Sequence, residues 1–135
     1  MINKKLKEKL KKAAQGVIDN AYVPYSNFPL AAALLTKEGK IFTGVNIENA
    51  AYGATMCAER TAIFKAVSEG YTEFKALLVL SKTKKPVTPC GSCRQVINEF
   101  SKEIDVIMMT IDGREIIKKN KELLPDAFAK GDIDQ

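Results

Sequence analysis

Histidine and tryptophan are both absent from this 135-residue chain, and cysteine occurs only three times. The missing histidine is the most informative. Without imidazole, the commonest metal ligand and the side chain that titrates nearest neutrality are both unavailable. Proton transfer then falls to other groups, and soft-metal binding to the thiols of Cys57, Cys90 and Cys93. Long apolar runs are also lacking: none approaches the roughly 20 residues that span a bilayer. The lysine-rich N-terminus has no apolar segment or cleavage pattern of a signal peptide. Internal repeats, low-complexity tracts and an evident linker are absent too. What remains, 46% hydrophobic and 27% charged residues, suits one core and one domain over residues 1–135. Thiols committed to a metal fit a reducing compartment, so a cytoplasmic protein with no membrane contact is expected.

The charge balance excludes less than its value suggests. The net charge is +5, and residues 1–12 carry all of it, with Lys4, Lys5, Lys7, Lys9, Lys11 and Lys12 against Glu8. The other 123 residues balance at fifteen basic and fifteen acidic side chains. The excess lies on one terminal segment whose apolar residues read separately as a helix. A solvated helix face is the expectation, with no nucleic-acid partner.

Leu6, Leu10, Ala13, Ala14, Val17 and Ile18 recur at helical spacing and predict an amphipathic helix over residues 3–20, filling the N-terminal segment 1–20. Pro24 disfavours helix in the residue before it, so Tyr22 to Asn27 is an irregular connection. Leu30 to Thr36 and Ile41 to Val45, joined by Lys37-Glu38-Gly39-Lys40, read as a hairpin. Asn46 to Thr55 is a loop, and Cys57 to Ser68 a helix that Gly70 stops. A strand over Phe74 to Leu80, the basic loop Lys82 to Pro86, and a helix opened by Cys90 with Val96, Ile97 and Phe100 on one face follow. Ile104 to Thr110 is a strand, Asp112-Gly113 a turn, and Glu115 to Ile117 a fifth strand. Leu123, Leu124, Ala127 and Phe128 suggest short helical turns before a polar tail at 130–135. The pattern predicts an α/β fold, a three-layer α-β-α sandwich around one mixed sheet of about five strands.

In that arrangement both cysteine segments fall at helix N-termini, where unsatisfied N–H groups and a partial positive charge face the sulfurs. A structural zinc normally takes four protein ligands, whereas a catalytic one keeps three and leaves a position for water. Cys57, Cys90 and Cys93 with no histidine to complete the set fit the catalytic kind. Glu59 lies two residues after Cys57, close enough to exchange a proton with water at the metal without being a ligand. Arg60 and Arg94 each follow a motif element and are candidates to donate charge-assisted hydrogen bonds to the thiolates. Cys90-x-x-Cys93 alone also fits a redox pair or half of a structural zinc site, but a thioredoxin-like reading leaves Cys57 and Glu59 without a role.

Cys57-Ala58-Glu59-Arg60-Thr61-Ala62 and Pro89-Cys90-Gly91-Ser92-Cys93-Arg94-Gln95 carry the P-C-x-x-C signature of zinc deaminases. With Pro24-Tyr25-Ser26-Asn27-Phe28, Gly44-Val45-Asn46-Ile47-Glu48-Asn49-Ala50 and the C-terminal Leu123-Leu124-Pro125 before Phe128, the chain resembles the cytidine deaminases of nucleoside salvage from about Tyr22 to Phe128. More narrowly it looks like their small, homotetrameric, three-cysteine form. The resemblance implies one Zn²⁺ per chain on Cys57, Cys90 and Cys93, with Glu59 shuttling protons. It implies that Asn46 and Glu48 hydrogen-bond the ribose, that Phe28 packs on the pyrimidine, that the Ala58 backbone contacts the base, and that Phe128 reaches a neighbouring subunit's site. The implied reaction is hydrolysis of cytidine or deoxycytidine to the uracil nucleoside and ammonia. Ala32 departs from the pattern where glycine is usual, and Val45 where a non-ligand cysteine is common. Other readings are a deaminase of a modified cytosine nucleoside of the blasticidin type, a polynucleotide-editing deaminase, and a non-enzymatic zinc-stabilised module that binds nucleic acid.

Overall fold

A strand with a continuous apolar run along it has to be covered on both faces, and three strands of this chain carry such runs, at 30–35, 76–80 and 106–109. The computed structural model describes residues 2–134. Its five-stranded sheet runs β2-β1-β3-β4-β5, with β1 Leu30–Thr36, β2 Ile41–Val45, β3 Phe74–Ser81, β4 Asp105–Thr110 and β5 Glu115–Lys119. The β3–β4 pair is parallel, and the β1–β2, β1–β3 and β4–β5 pairs are antiparallel. The sheet is mixed, as expected.

Alternation sorts the side chains onto two cores. Ala31, Ala33, Leu35, Leu78, Leu80, Ile107 and Met109 pack on one face with Leu10, Ala14 and Ile18. Ala32, Leu34, Leu77, Val106 and Met108 pack on the other with Ala58, Ala62, Ile63 and Ile97. One face is therefore covered by α1 (Lys4–Gln15), and the other by α2 (Ala58–Ser68) and α3 (Gly91–Phe100). Two four-residue helices, α4 (Asn120–Leu123) and α5 (Lys130–Ile133), complete the chain.

Boundaries differ from the sequence reading in several places. Tyr52–Ala54 form a 3-10 turn within the expected loop, and β5 runs on to Lys119. α4 is confined to Asn120–Leu123, so Leu124, Ala127 and Phe128 lie outside any helix. The first helix ends at Gln15 instead of running to residue 20. Gly16 caps it with its N–H on Lys12 O at 3.0 Å, and Ile18–Asn20 form a separate 3-10 turn. Val17 and Ile18 still reach the core, which is why the apolar spacing reads as one longer helix. The polar tail includes the short α5, whose first turn is closed by Asp132 accepting from Ala129 N at 2.8 Å.

Direction places the helix starts. β2 and β3 are both antiparallel to β1, so they point the same way. The connection into α2 leaves the end of β2, and that into α3 leaves the end of β3. Both helices lie on the same core, so their N-termini meet at one edge of the sheet, beyond the carboxyl ends of parallel strands where α/β folds place their ligands.

Candidate active site and metal centre

The residues that cap these two helices are Cys57 for α2 and Cys90 for α3, and neither side chain makes a capping hydrogen bond. Ser, Thr, Asp or Asn would serve better as caps; sulfur at both positions points to another use. Cys93 lies in the first turn of α3 and is fully buried. The Sγ atoms of Cys57 and Cys90 are 3.7 Å apart, those of Cys90 and Cys93 3.5 Å, and all three lie within 4.8 Å of one another. A tetrahedral zinc with Zn–S of about 2.3 Å has S···S edges of about 3.8 Å. The donor set therefore fits zinc with three thiolates.

Charge around Cys57 is arranged to favour its thiolate. Arg60 donates from Nη2 to Cys57 Sγ at 3.3 Å. The Cys57 thiol is lowered to about 5, through hydrogen bonding with Cys93 first and with Arg60 next. Cys93, the other member of that hydrogen-bonded pair, is pushed up. The guanidinium of Arg60 is held still more firmly in its charged form by the same sulfurs. Arg94, by contrast, does not reach the thiols. Its Nε donates to Pro89 O and its Nη1 to Leu123 O, both at 2.7 Å. Of the two candidate donors, then, Arg60 reaches a sulfur and Arg94 does not; Arg94 braces the loop before Cys90 against α4. Asn120 completes the brace by donating to Arg94 O at 3.1 Å.

Glu59 is 3% exposed, and its Oε1 is buried with no hydrogen-bond partner. Burial pushes its carboxyl up to about 7, and the charge of Cys57 adds to the effect. A buried carboxylate oxygen left without a partner is costly in a structural residue. It is what a proton-transferring group requires before its reactant arrives.

A second cluster sits at the end of β2. Asn46 accepts from Leu30 N at 2.9 Å and donates to Phe28 O at 2.8 Å, so its amide splints the chain entering β1. Glu48 accepts from Tyr25 N at 3.0 Å and Ser26 N at 3.1 Å, and from the Ser26 hydroxyl. These bonds set the Tyr25–Phe28 turn, in which Asn27 takes a left-handed φ of 54°. Phe28 is 41% exposed and Phe128 60% exposed; neither is a core residue. Phe128 O accepts from Gln95 Nε2 at 2.8 Å, which fastens the C-terminal segment to α3.

Cys57, Cys90, Cys93, Glu59 and Arg60 are thus gathered at one point, with Ala58 buried at the start of α2. Phe28, Asn46 and Glu48 are held together beside the end of β2. They are linked to the first group through the backbone pair between Ile47 and Met56, at 2.9 Å in both directions, immediately before Cys57. Sequence reasoning missed three supports: the Arg94–Leu123 tie, Thr61 Oγ1 donating to Cys57 O at 3.0 Å, and the approach of α2 to Gly44. Only the last left a signal, a glycine inside a strand.

Comparison with known proteins agrees with this geometry. The family profile described as the cytidine and deoxycytidylate deaminase zinc-binding region matches residues 4–110. The chain is 50% identical over 127 residues to a cytidine deaminase of Sporosarcina psychrophila, covering 93% of each, and 47% identical to a probable cytidine deaminase of Dictyostelium discoideum, covering 98% of this chain and 90% of that one. The crystal structure of cytidine deaminase from Burkholderia pseudomallei superposes with a TM-score of 0.86 at 46% identity, covering 90% of this chain and 98% of that one. A three-thiol centre at paired helix starts, a buried acid two residues from one thiol and these likenesses over nearly the whole length converge: the chain belongs to the cytidine and deoxycytidylate deaminase family.

Proposed function

We propose that this protein hydrolyses the exocyclic amine of cytidine and deoxycytidine, giving uridine or deoxyuridine and ammonia, in the pyrimidine salvage of the cytoplasm. The observation that carries the reading is the juxtaposition of Glu59, buried with a free oxygen, and the three gathered sulfurs. Cys57, Cys90 and Cys93 hold the zinc, which when bound supplies Lewis-acid activation of water near neutral pH.

Glu59 moves the protons. Its carboxylate takes one from the attacking water as the new C4–O bond forms, and delivers one to N3 of the ring. It then takes the remaining proton from the new C4 hydroxyl and passes it to the amine as the C4–N bond breaks and the C4 carbonyl forms, so water and cytidine are consumed and uridine and ammonia leave. A carboxyl raised towards neutrality exchanges protons in both directions at working pH. The backbone at Ala58 contacts the base, Phe28 stacks on the pyrimidine, and Asn46 and Glu48 bind the ribose. Supporting this, Phe28 is exposed while its carbonyl is pinned by Asn46. Arg60 offsets the negative charge of three thiolates.

The working form is a homotetramer in which Phe128 reaches a neighbouring site. Phe128 is 60% exposed, so its ring is free to be covered by another subunit. Among the described residues no helix is long and apolar enough to cross a membrane.

The direct test follows the loss of cytosine absorbance on adding cytidine, with and without a zinc chelator. Activity that the chelator abolishes and added zinc restores is expected. A zinc-loaded protein that leaves cytidine intact would overturn the assignment.

A further inference from the structure

We infer that Gly44 is a positioning residue: the bare backbone of β2 at this point sets how closely α2 approaches the sheet, and so where Cys57 and Glu59 stand relative to Cys90 and Cys93. The inference rests on the metal reading above and concerns a residue that touches neither metal nor substrate.

Gly44 lies in β2, paired across the ladder with Ala32 of β1. Its φ is outside the left-handed region, so conformational freedom does not explain the glycine. Space does. A Cβ there would lie 2.5 Å from Ala62 N, 2.6 Å from Ala58 O and 3.0 Å from Thr61 Cβ. The two shortest contacts are with helix backbone, so no change of side-chain rotamer relieves them. The opposing surfaces are made small on both sides: Ala58, Ala62 and Ala66 on α2 and Ala32 on β1 are all fully buried. Alternation supports the assignment, since Phe42 belongs to this same core while Val45 packs on the α1 side.

Moving Ala62 N from 2.5 Å to the 3.4 Å of ordinary contact means a displacement of 0.9 Å at the first turns of α2. That turn carries Cys57 at its cap and Glu59 two residues further in, with Thr61 tied to Cys57 O. Cys90 and Cys93 belong to α3, whose start is braced separately through Arg94 to Pro89 and Leu123. A push at Gly44 therefore moves one ligand and the acid while leaving the other two ligands in place. Metal–ligand distances tolerate about 0.2 Å, and a displacement of about 1 Å at reacting groups costs about 10²-fold in rate. Both tolerances are narrower than the shift a single methyl group demands.

The test compares Gly44→Ala with Val45→Ala, which removes packing from the opposite face of the same strand. Zinc affinity is measured by competition with a chromophoric chelator, kcat with cytidine, and folding of the metal-free proteins by circular dichroism and thermal unfolding. Gly44→Ala is expected to fold without metal, to bind zinc about tenfold more weakly or worse, and to lose about 10²-fold in kcat. Val45→Ala is expected to lower the unfolding temperature while keeping zinc affinity and kcat near wild type. Unchanged zinc affinity in Gly44→Ala, or an equal loss in both variants, would overturn the inference. So would collapse of metal-free Gly44→Ala beside a folded Val45→Ala, since the glycine would then serve the fold and not the site. If wild-type protein binds zinc but leaves cytidine intact, the functional reading fails while the affinity comparison still decides the role of Gly44.

Discussion

Glu59 combines two properties that seldom coincide in a structural carboxylate, near-complete burial and an oxygen without a partner. Glu59→Gln keeps shape and hydrogen-bonding capacity but cannot accept and return a proton. The variant is expected to retain zinc and fold and to deaminate cytidine at least about a hundredfold more slowly, as read by metal content and steady-state rates. Near-wild-type turnover would assign the proton transfers to another group, and loss of zinc would make Glu59 a support of the metal. Glu48 is a carboxylate of the opposite kind. The Ser26 hydroxyl lowers it most, desolvation opposes this with the next-largest effect, and the Ser26 and Tyr25 amides lower it further, so it lies below its ordinary value of 4.5. Because the folded value is the lower one, the stability these bonds add is fully present above pH 4.5 and is lost as pH falls through the folded value. Ser26→Ala should move the Glu48 carboxyl upward in a carbon-detected NMR titration and shrink that acid-side loss; an unmoved titration would remove Ser26 as the cause.

Among the elements, α3 is tied both to the loop before it and to α4 through Arg94. Arg94 joins the loop before Cys90 to α4 by two bonds of 2.7 Å to carbonyls, and Gln95 beside it holds Phe128 O. Arg94→Leu leaves both carbonyls without this donor, and a part-buried group stranded in this way costs about 1–3 kcal/mol. Chemical denaturation of the zinc-free protein should show that loss, with zinc binding weakened as the Pro89–Cys90 turn loosens. A variant as stable as wild type would show that water replaces the guanidinium at no cost. α1 is anchored differently. Ile2 N donates to Asp105 at 3.0 Å, Asp105 pairs with Lys119 at 2.8 Å, and Lys7 pairs with Glu115 at 2.9 Å. Lys4, Lys5, Lys9 and Lys12 remain exposed, in keeping with a solvated face.

For the molecule as a whole, the C-terminal segment is the element most exposed to the consequences of assembly. Leu123 packs on the same core as α2 and α3, whereas Phe128 projects into solvent. A chain ending before Leu123 should therefore lose both oligomer size and activity, as measured by light scattering on a sizing column with a cytidine assay across the peak. A fully active monomer would count against shared active sites. Most of the architecture was legible beforehand. Residues 30–35, 76–80 and 106–109 are continuous apolar runs because both sheet faces are covered, and such runs announce buried strands directly. The end of α1 was not legible, because Val17 and Ile18 stay in register with the core although the helix has stopped.

The sequence by itself determined the chemistry: three thiols without histidine, and an acid two residues from one of them, allow few other uses. Residue type and short spacing are local properties, readable without knowing where the chain goes. The tertiary structure alone decided which long-range partners those groups have. Arg60, three residues after Cys57, reaches its sulfur, whereas Arg94, four residues after Cys90, turns instead to a carbonyl 29 residues away. The one-residue difference in spacing does not reveal where Arg94 goes, because its partner is supplied by α4 packing beside α3. Gly44 is the same lesson at the scale of one atom. Its requirement arises from a helix that begins 14 residues later and crosses above it, and only packing brings that backbone within 2.6 Å of where a side chain would begin.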